Sequence, residues 1–467
     1  MTNKPLSLII FGGTGDLAQN KIFLALLDLQ NKNLIQESPT IIGFSRKNLS
    51  NEEYRKFASD AMITKRPEID PATLEKFLKN FHYVQGDINI AESYTKLHEY
   101  ISKLDTAAGV CSNKLFYLAV PPHLYEPVFI NIDKANMVKP CTKSGNGAWT
   151  RVLVEKPFGS DPAGAIRLDK MLGKLFDEDQ IFRIDHYLAK EALQNIISFR
   201  FANPIFGPIW NRDLIERVEI KLFEKNDVST RGAFYDPIGA IRDVGQNHIL
   251  QMLALVAMED PEGITSGKIR TAREKVLKDV APFSRKPEEF LHVAQYAGYQ
   301  NEIGVAPDSK TETYFQLKLG VNNRRWRGVP FVVSSGKALS KNLVQINIIF
   351  REEESAVCPV DDICHYGNTI TINVQPEENI SVTFWKKKPG LAFGLEEKTL
   401  SFNYDSASPL TDAYEKVLFD CISGDQTLFA STKEVAIQWE LISKIMEQAK
   451  KVEMKKYERG SEGEKIA

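Results

Sequence analysis

The sequence comprises 467 residues, with 59 Lys and Arg against 61 Asp and Glu, and its formal net charge is −2. A chain of this length is too long for one simple hydrophobic core, so we expect two sizeable domains. The balanced charge gives no reason to expect a nucleic acid or a membrane surface as partner. No apolar run reaches the roughly 18 residues of a transmembrane helix, so we expect no membrane-spanning segment.

The five cysteines are scattered, and none forms a C-x-x-C pair. This usage is typical of a protein in a reducing compartment and argues against a structural zinc, so we expect no metal. The first residues, Met-Thr-Asn-Lys-Pro, lead straight into an apolar run, which predicts that there is no signal peptide. We therefore expect a cytoplasmic protein.

The first apolar run, Leu6 to Phe11, suits a buried parallel strand and is followed by a glycine-rich turn and an amphipathic helix over residues 17–29. Strand, glycine turn and helix in this order form the context of a dinucleotide-binding fingerprint. The pattern is G-x-x-G-x-x-A, a variant of the usual G-x-G-x-x-G, and the alternative is a plain βα turn. The candidate cofactor-binding residues are Gly12, Gly13, Thr14, Gly15, Asp16 and Leu17.

A second strand is predicted over residues 40–44, and it is followed by Ser45, Arg46 and Lys47. NAD-binding proteins commonly end this strand with an acid that binds the ribose 2′-hydroxyl. A carboxylate would repel a 2′-phosphate, whereas a guanidinium can bind it through two hydrogen bonds. Arg46 therefore favours NADP as cofactor, and the alternative is that both cations are merely exposed in a loop.

Residues 115–120 and 151–155 are two further apolar runs that suit buried strands, and the polar segment 140–149 between them suits an exposed loop. Lys156 follows the second run directly. A lysine at the carboxyl end of a parallel strand faces the crevice in which α/β proteins bind ligands. A helix is predicted over residues 161–176.

The stretch from residue 183 to residue 191 reads Arg-Ile-Asp-His-Tyr-Leu-Ala-Lys-Glu. If a helix begins at Asp185 or His186, then His186 and Lys190 lie four residues apart on one face, with Tyr187 on the same side. These side chains, with the free N–H groups and the dipole of a helix N-terminus, suit a phosphate monoester. The alternative is a helix cap, a packed ring and a solvated charge.

Beyond about residue 200, apolar residues alternate with polar ones in several segments, which predicts a broad, mostly antiparallel sheet with one apolar face. Helices are predicted at 238–258, 268–278, 411–421 and 431–450, and the polar tail after Lys455 is predicted to be mobile. The fold class is thus an N-terminal Rossmann-like, doubly wound α/β domain and a larger α+β domain with flanking helices. We predict that the first domain covers residues 1–190 and the second residues 191–467.

A dehydrogenase needs a base that works near pH 7, and an imidazole is the natural group. Spacing alone does not choose among the seven histidines. Four segments, however, resemble the glucose-6-phosphate dehydrogenase family in their order and separation. They are the glycine turn, Glu-Lys-Pro-Phe-Gly at 155–159, the stretch 183–191, and Arg-Asp-Val-Gly-Gln-Asn-His at 242–248. The resemblance runs from about residue 6 to about residue 460.

The resemblance implies an NADP-dependent glucose-6-phosphate 1-dehydrogenase. Such an enzyme oxidises glucose 6-phosphate at C1 to 6-phosphogluconolactone, the first step of the oxidative pentose phosphate pathway. It also implies that His248 is the catalytic base and that Asp185 orients the ring and stabilises the imidazolium. One geometric argument opposes a shared pocket for Asp243 and His248, because residues five apart are about 140° apart around an ideal α-helix.

The resemblance implies further site residues, all of them named by their positions in this chain. The phosphate is assigned to His186, Tyr187 and Lys190, and sugar hydroxyls are assigned to Glu224 and Asp243. Other implied contacts are Lys156 with both substrate and cofactor, Tyr125 with the cofactor, Arg46 with the 2′-phosphate, Lys21 near the substrate phosphate, Gln375 near the sugar, and Lys337 with the substrate. Five residues beyond Lys337 the family usually has a second cation, where this chain has Asn342, and Lys341 is the nearest substitute.

Some family members hold a second, structural NADP on cations where this chain has Leu343, Asn347 and Asn373, so we expect none here. The turn with Thr14 resembles that of members that use both cofactors, so NAD is a weaker alternative. The family's large sheet commonly forms a subunit interface, which implies a homodimer or a dimer of dimers. Two other functions stay open: a dehydrogenase of an unphosphorylated sugar, and a catalytically inactive sugar or nucleotide sensor.

Overall fold

The computed structural model describes residues 4–35, 39–139, 147–156, 158–159, 162–354, 365–391, 393–404 and 412–466. The chain divides into two compact units. The first comprises Met1–Ala189 and Thr411–Val435, and the second comprises Lys190–Leu410 and Ala436–Ala467. The segment 411–435 therefore groups with the first unit, although the predicted boundary at residue 190 put it in the second domain. The boundary after residue 190 stays a prediction.

The helices and strands follow one another along the described residues. The α-helices are α1 (Phe23–Asn31), α2 (Asn51–Lys65), α3 (Pro71–Leu78), α4 (Ala91–Ala108), α5 (Tyr125–Lys134), α6 (Pro162–Leu175), α7 (Glu191–Phe201), α8 (Phe206–Ile209), α9 (Gly232–Tyr235), α10 (Leu250–Ala257), α11 (Ser266–Asp279), α12 (Pro287–Phe290), α13 (Ala413–Ser423) and α14 (Thr432–Ala449). The strands are β1 (Leu6–Phe11), β2 (Thr40–Ser45), β3 (Phe81–Gln85), β4 (Asn113–Leu118), β5 (Thr150–Val154), β6 (Ile181–Ile184), β7 (Ile215–Phe223), β8 (Val280–Pro282), β9 (Leu291–Tyr296), β10 (Tyr314–Val321), β11 (Phe331–Gly336), β12 (Leu343–Phe350), β13 (Glu353–Glu354), β14 (His365–Tyr366), β15 (Thr369–Gln375), β16 (Asn379–Lys387), β17 (Leu395–Asn403), β18 (Phe429–Ala430) and β19 (Met454–Tyr457). Two π-helices, Ala18–Ile22 and Ile241–Ile249, precede α1 and α10.

The first unit is built on a sheet with the strand order β18-β6-β5-β4-β1-β2-β3. Strands β1 to β6 are parallel to one another, and β1 and β4 are buried at every residue. Their apolar runs suit this position, because a central parallel strand has no solvent-facing side. The predicted Rossmann-like doubly wound fold is confirmed, and the glycine turn follows β1, where the strand order reverses.

The segment 412–435 adds an edge strand and a helix to this first unit. β18 pairs antiparallel with β6, and α13 packs against α1. Lys32 near the end of α1 forms an ion pair with Glu415 of α13, whose side chain is 6% exposed. Such a pairing joins residues that are far apart in sequence, so the hydrophobic pattern alone could not assign the segment to the first unit.

The second unit contains a broad sheet with the strand order β17-β16-β15-β12-β7-β11-β10-β9-β19, and β8 pairs with β10. Most neighbours are antiparallel, as predicted, whereas β7–β11 and β9–β19 are parallel. Buried and part-exposed residues alternate along β12 and β15, which confirms that one face of the sheet is covered. Every residue of α10 is buried, so this helix belongs to the core of the unit.

The polar tail is ordered, and the prediction that it is mobile is wrong. β19 pairs in parallel with β9, and the Tyr457 side chain belongs to a buried cluster with Tyr296 and Tyr314. One aromatic anchor and a strand pairing outweigh the polar composition on which the prediction rested.

Two further findings concern membrane-spanning helices and the pairing of the cysteines. Within the described ranges, no helix has both the length and the apolar character needed to cross a membrane. Cys421 is buried and free, whereas Cys111 takes part in a disulfide bond. The scattered spacing of the cysteines did not predict this bond, because pairing depends on distance in the fold, which spacing along the chain does not reveal.

Candidate active site

The glycine turn is held by backbone bonds to the end of β2. The N–H of Gly12 donates to the Phe44 carbonyl at 2.9 Å, and the N–H of Gly15 donates to the Gly12 carbonyl at 2.8 Å. The Tyr54 hydroxyl, from α2, donates to the Gly13 carbonyl at 3.0 Å. The predicted turn therefore has its backbone fixed by the strand and the helix beside it.

Two glycines of this turn have different physical roles. Gly12 has a φ of +84°, and an added Cβ would lie 2.4 Å from the carbonyl oxygen of Ala119, so only glycine fits there. A Cβ at Gly15 would lie 3.1 Å from the Gly12 oxygen and would meet no described side chain within 4 Å. The turn therefore leaves a bare backbone surface at Gly15, which fits the close approach of a cofactor pyrophosphate.

Arg46 is exposed and lies one residue beyond β2. The residue before it, Ser45, shares a hydrogen bond of 2.9 Å between its hydroxyl and that of Thr14. The end of β2 is thus tied directly to the glycine turn, as a site for a nucleotide requires. Lys47, whose Nζ lies 5.1 Å from the centroid of the Phe57 ring, packs over that ring instead.

Lys156 follows β5, and the residue before it is held from two sides. The Tyr117 hydroxyl donates to the Glu155 carboxylate, and the Tyr125 hydroxyl donates to the Glu155 carbonyl, each at 2.8 Å. Desolvation raises the pKa of Glu155 to about 7. Tyr125 is only 1% exposed, so the structure shows it supporting this backbone, and its contact with a cofactor stays a prediction. Pro157 lies outside the described residues.

The stretch 183–191 contains a turn where the sequence analysis expected a helix. Asp185 Oδ1 accepts the N–H of Tyr187 at 3.1 Å, and the Asp185 carbonyl accepts the N–H of Leu188 at 3.1 Å. An Asp side chain that binds the backbone two residues on stabilises a turn in competition with a helix. Helix α7 begins only at Glu191, so the condition under which His186 and Lys190 would lie on one helical face is not met.

The side chains of this turn differ in exposure. Asp185 is 3% exposed, whereas His186 and Tyr187 are half-buried, and their ring centroids lie 4.6 Å apart. Arg183, which precedes them in β6, is 2% exposed and binds Asp169 Oδ1 at 2.7 Å. Arg183 therefore anchors the strand, while the side chains of His186 and Tyr187 keep part of their surface exposed.

Lys190 is the N-cap of α7 and has an acidic partner that the sequence analysis did not name. Its Nζ lies 3.4 Å from Oε1 of Glu378, in the turn between β15 and β16. Oε2 of Glu378 accepts the N–H of Ala192 at 2.9 Å. The N-terminus of α7 therefore has a carboxylate bound to it.

Asp243 and His248 lie in the π-helix Ile241–Ile249. Hydrogen bonds in a π-helix run from residue i to residue i+5, so residues five apart lie close to one turn apart. The separation of about 140° that an α-helix would impose is therefore wrong for this segment. π-Helical segments are frequent at functional sites, and His248 is 1% exposed within this one.

A buried carboxylate caps the beginning of this π-helix. Oε1 of Glu312 accepts the N–H of Ile241 at 3.0 Å, and Glu312 is 6% exposed. A Cβ added at Gly239, whose φ is +75°, would lie 2.5 Å from the same oxygen. Burial raises the pKa of Glu312 to about 7. Sequence reasoning missed this residue, because nothing in the local sequence shows which helix a distant glutamate caps.

Three of the predicted substrate-binding residues form one charged cluster. The Lys337 ammonium pairs with the Glu224 carboxylate and lies 3.7 Å from Oδ2 of Asp243. Its Nζ also lies 5.2 Å from the centroid of the Tyr235 ring. An ammonium between two carboxylates offers donors and acceptors together, which suits the recognition of sugar hydroxyls.

The loop that carries Lys337 is held by the tail. The Tyr457 hydroxyl donates to the Lys337 carbonyl at 2.7 Å, and the N–H of Gly460 donates to the Ala338 carbonyl at 2.8 Å. Ser340 donates its N–H to the Ser461 carbonyl at 3.0 Å. A tail of polar composition thus fixes the backbone of a candidate substrate-binding residue.

Three further residues named in the sequence analysis, Lys21, Lys341 and Asn342, bind other residues of the protein. Lys21 Nζ lies 3.7 Å from Oδ2 of Asp412, and both side chains are about half exposed. Lys341 Nζ lies 3.7 Å from Oε1 of Glu464, and Asn342 accepts the N–H of Lys225 at 2.7 Å. Both candidates for the position of the second cation therefore have partners within the protein.

Gln375 ends β15 immediately before a cis peptide bond to Pro376, and its role near the sugar stays a prediction. Two of the positions linked to a second NADP, Asn347 and Asn373, both bind the side-chain amide of Gln345. Gln345 donates to Asn373 at 2.8 Å and accepts from Asn347 at 3.1 Å. The expected lack of a second nucleotide also stays a prediction.

No group of three or more metal-ligating side chains occurs in the part of the chain that the structure describes. A Rossmann-like unit with this glycine turn places the chain in the class of dinucleotide-binding proteins. Residues 9–195 match the model of the glucose-6-phosphate dehydrogenase NAD-binding domain, and residues 197–467 match that of the C-terminal domain of the same family. The chain belongs to the glucose-6-phosphate dehydrogenase family.

Individual relatives agree with this membership. The chain is 37% identical to glucose-6-phosphate 1-dehydrogenase 6, cytoplasmic, of Arabidopsis thaliana, over 99% of this chain and 90% of the relative. It is 34% identical to glucose-6-phosphate 1-dehydrogenase of Chlamydia muridarum, over 96% of this chain and 91% of the relative. A solved glucose-6-phosphate dehydrogenase in complex with glucose 6-phosphate is similar with a TM-score of 0.89, at 32% identity over 99% of this chain and 96% of that chain.

Proposed function

We propose that this protein oxidises glucose 6-phosphate at C1 to 6-phosphogluconolactone and uses NADP as its preferred cofactor. The observation that carries the proposal is the cluster of Lys337, Glu224 and Asp243, with Asp243 in the same π-helix as His248. A dehydrogenase that is solved with this substrate has the same fold over 99% of this chain, which supports it.

In the proposed mechanism His248 is the general base. Its imidazole accepts the proton of the C1 hydroxyl, and C1 then loses a hydride as its bond to oxygen becomes a carbonyl. Asp185 supports the protonated imidazole through its negative charge. When bound, the nicotinamide supplies the hydride acceptor. The protein contributes position and charge, because a hydroxyl that is held still reacts faster than one that is free to turn.

Substrate recognition is divided between the phosphate and the sugar in this proposal. Two half-buried rings, His186 and Tyr187, and the ammonium of Lys190 bind the phosphate monoester. The Lys337 cluster binds sugar hydroxyls. The other proposed substrate contacts are Lys156, Lys21, Gln375 and Lys341.

The cofactor proposal rests on the glycine turn and on Arg46. Gly12, Gly13, Thr14 and Gly15 form the surface for the pyrophosphate, and Asp16 and Leu17 continue it into the first helix. The exposed Arg46 would bind the 2′-phosphate that distinguishes NADP from NAD. Lys156 and Tyr125 are the proposed contacts toward the nicotinamide half, and NAD is the weaker cofactor.

Assembly and location belong to the proposal as well. We infer a homodimer or a dimer of dimers through the broad sheet, and a cytoplasmic location like that in the name of the Arabidopsis thaliana relative. Size-exclusion chromatography with light scattering tests the assembly, and a monomer at micromolar concentration would contradict it.

Initial rates with glucose 6-phosphate or glucose, each with NADP or NAD, test the function. We expect the highest kcat/KM with glucose 6-phosphate and NADP. Equal efficiency on glucose would support a dehydrogenase of unphosphorylated sugars, which the family membership does not favour. Binding without turnover would support an inactive sensor.

A further inference from the structure

Glu378 is fixed at both of its carboxylate oxygens. Oε1 lies 3.4 Å from the ammonium of Lys190, and Oε2 accepts the N–H of Ala192 at 2.9 Å. The Glu378 side chain is 7% exposed. The N–H group belongs to the first turn of α7, where the helix dipole favours a negative charge. The carboxylate therefore has a compensated charge and a single position.

Lys190 keeps part of its surface open while it binds Glu378. Its side chain is 33% exposed, and an ammonium has three N–H donors. One donor direction faces Glu378, and the exposed side leaves room for a second anion. A lysine that is held in place before the ligand arrives loses less rotamer freedom on binding than a free lysine does.

We propose that Glu378 is a positioning residue for phosphate recognition, because it holds the Lys190 ammonium in the orientation that receives the substrate phosphate. The inference rests on the proposed role of Lys190 as a phosphate ligand. Glu378 does not touch the phosphate, since two anions repel each other, and it acts only through Lys190. The bond to the Ala192 N–H keeps the carboxylate in place when the second anion arrives.

The substitution Glu378→Gln tests this role with little change of shape. The amide oxygen still accepts the Ala192 N–H, but the negative charge beside Lys190 is lost. We expect the KM for glucose 6-phosphate, and the inhibition constant of inorganic phosphate, to rise roughly 5-fold to 20-fold, which is the range for one weakened charge-assisted contact. We expect kcat to stay within a factor of about 2, because the base is elsewhere. Glu378→Asp keeps the charge and should restore part of the affinity.

Glucose, which has no phosphate, provides the control reaction, and Glu377→Gln provides the control variant. Glu377 is the exposed neighbour in the same turn, so its substitution changes the net charge equally. We expect unchanged kinetics for Glu377→Gln and an unchanged kcat/KM of Glu378→Gln on glucose. A parallel loss on both substrates would mean that Glu378 is structural and would overturn the inference.

A double-mutant cycle separates this inference from the proposal on which it rests. If Glu378 acts through Lys190, then Glu378→Gln adds nothing to the KM of Lys190→Ala. An additive effect, or a KM that is unchanged or lowered by Glu378→Gln alone, would overturn the inference and leave the Lys190 role intact. If Lys190→Ala itself leaves the KM unchanged, then the proposed phosphate role of Lys190 fails first, and the positioning role fails with it.

Discussion

The nucleotide turn of the first unit and the Lys337 loop of the second are built in different ways. The turn runs over Gly12 to Leu17 without interruption, and its closest supports come from β2 and α2. The Lys337 loop follows β11, its charged partners come from the end of β7 and from a π-helix, and its backbone is fixed by Tyr457.

The comparison shows which sites a local sequence pattern can specify. A pyrophosphate is recognised by backbone N–H groups, so a short motif with the correct glycines suffices. Sugar hydroxyls are recognised by side chains that converge from distant segments, and these depend on the whole fold. Substitutions at the assembled region should therefore act through supporting residues as well as through the residues that touch the ligand.

The largest expected effect concerns His248 in the assembled region. His248→Asn removes the proton acceptor, so kcat should fall by roughly 10²–10⁴ while KM for glucose 6-phosphate changes little. Steady-state kinetics measure both, with His98→Asn as the control. Asp185→Asn should lower kcat as well, and less than additively with His248→Asn. If His186→Asn instead abolishes turnover and His248→Asn does not, then His186 is the base.

The second prediction concerns the nucleotide turn. Arg46→Ala should raise the KM for NADP about 10-fold to 100-fold, because one charge-assisted contact with the 2′-phosphate is worth about 1.5–3 kcal/mol. The KM for NAD, which has no 2′-phosphate, should change by less than about 2-fold and serves as the internal control. An equal loss of both cofactors would show that Arg46 has a structural role.

The third prediction compares Glu155 of the first unit with Glu312 of the second. Desolvation raises the pKa of each glutamate to about 7 from an ordinary value of 4.5. The hydrogen bond from Tyr117 and the charge of Lys156 oppose this rise at Glu155. The Ile241 N–H and the charge of Arg242 oppose it at Glu312. The folded protein thus keeps these protons where the unfolded chain loses them. Their contribution to stability is complete below about pH 4.5 and is lost as the pH rises through about 7.

Glutamine cannot ionise, so Glu155→Gln and Glu312→Gln should each gain stability relative to the parent between about pH 5 and about pH 8, on the order of 1–3 kcal/mol. Thermal unfolding at the two pH values measures this difference, and Glu377→Gln is the exposed control. A gain that shrinks as the pH rises would contradict the assigned direction of the pKa shift.

The smallest effect is expected at the support of the Lys337 loop. Tyr457→Phe removes the hydroxyl that donates to the Lys337 carbonyl, a hydrogen bond worth about 0.5–1.5 kcal/mol. The KM for glucose 6-phosphate should therefore rise by up to about 10-fold, with the KM for NADP unchanged. Tyr100→Phe removes a hydroxyl in the first unit and is the control. A change confined to NADP would contradict the assignment of this support to substrate binding.

The sequence was sufficient for the Rossmann-like fold and for the alternating sheet, because both depend on hydrophobic patterns that repeat over a few residues. It was misleading at Asp185, where a side chain binds its own backbone and stops the expected helix. It also could not reveal the π-helix around His248. The same residues can form α-helical or π-helical hydrogen bonds, and the packing around the segment decides between them. Glu378 and Glu312 act on residues far from them in sequence, so no local signal identifies them.

The tail contact of Lys337 has a consequence for the order in which the protein gains its properties during synthesis. Tyr457 follows Lys337 by 120 residues. At roughly 5–20 residues per second, a ribosome adds it about 6–24 s after Lys337. A nascent chain can therefore complete its nucleotide turn early, whereas the lysine loop gains its support only when the strand that carries Tyr457 has been made.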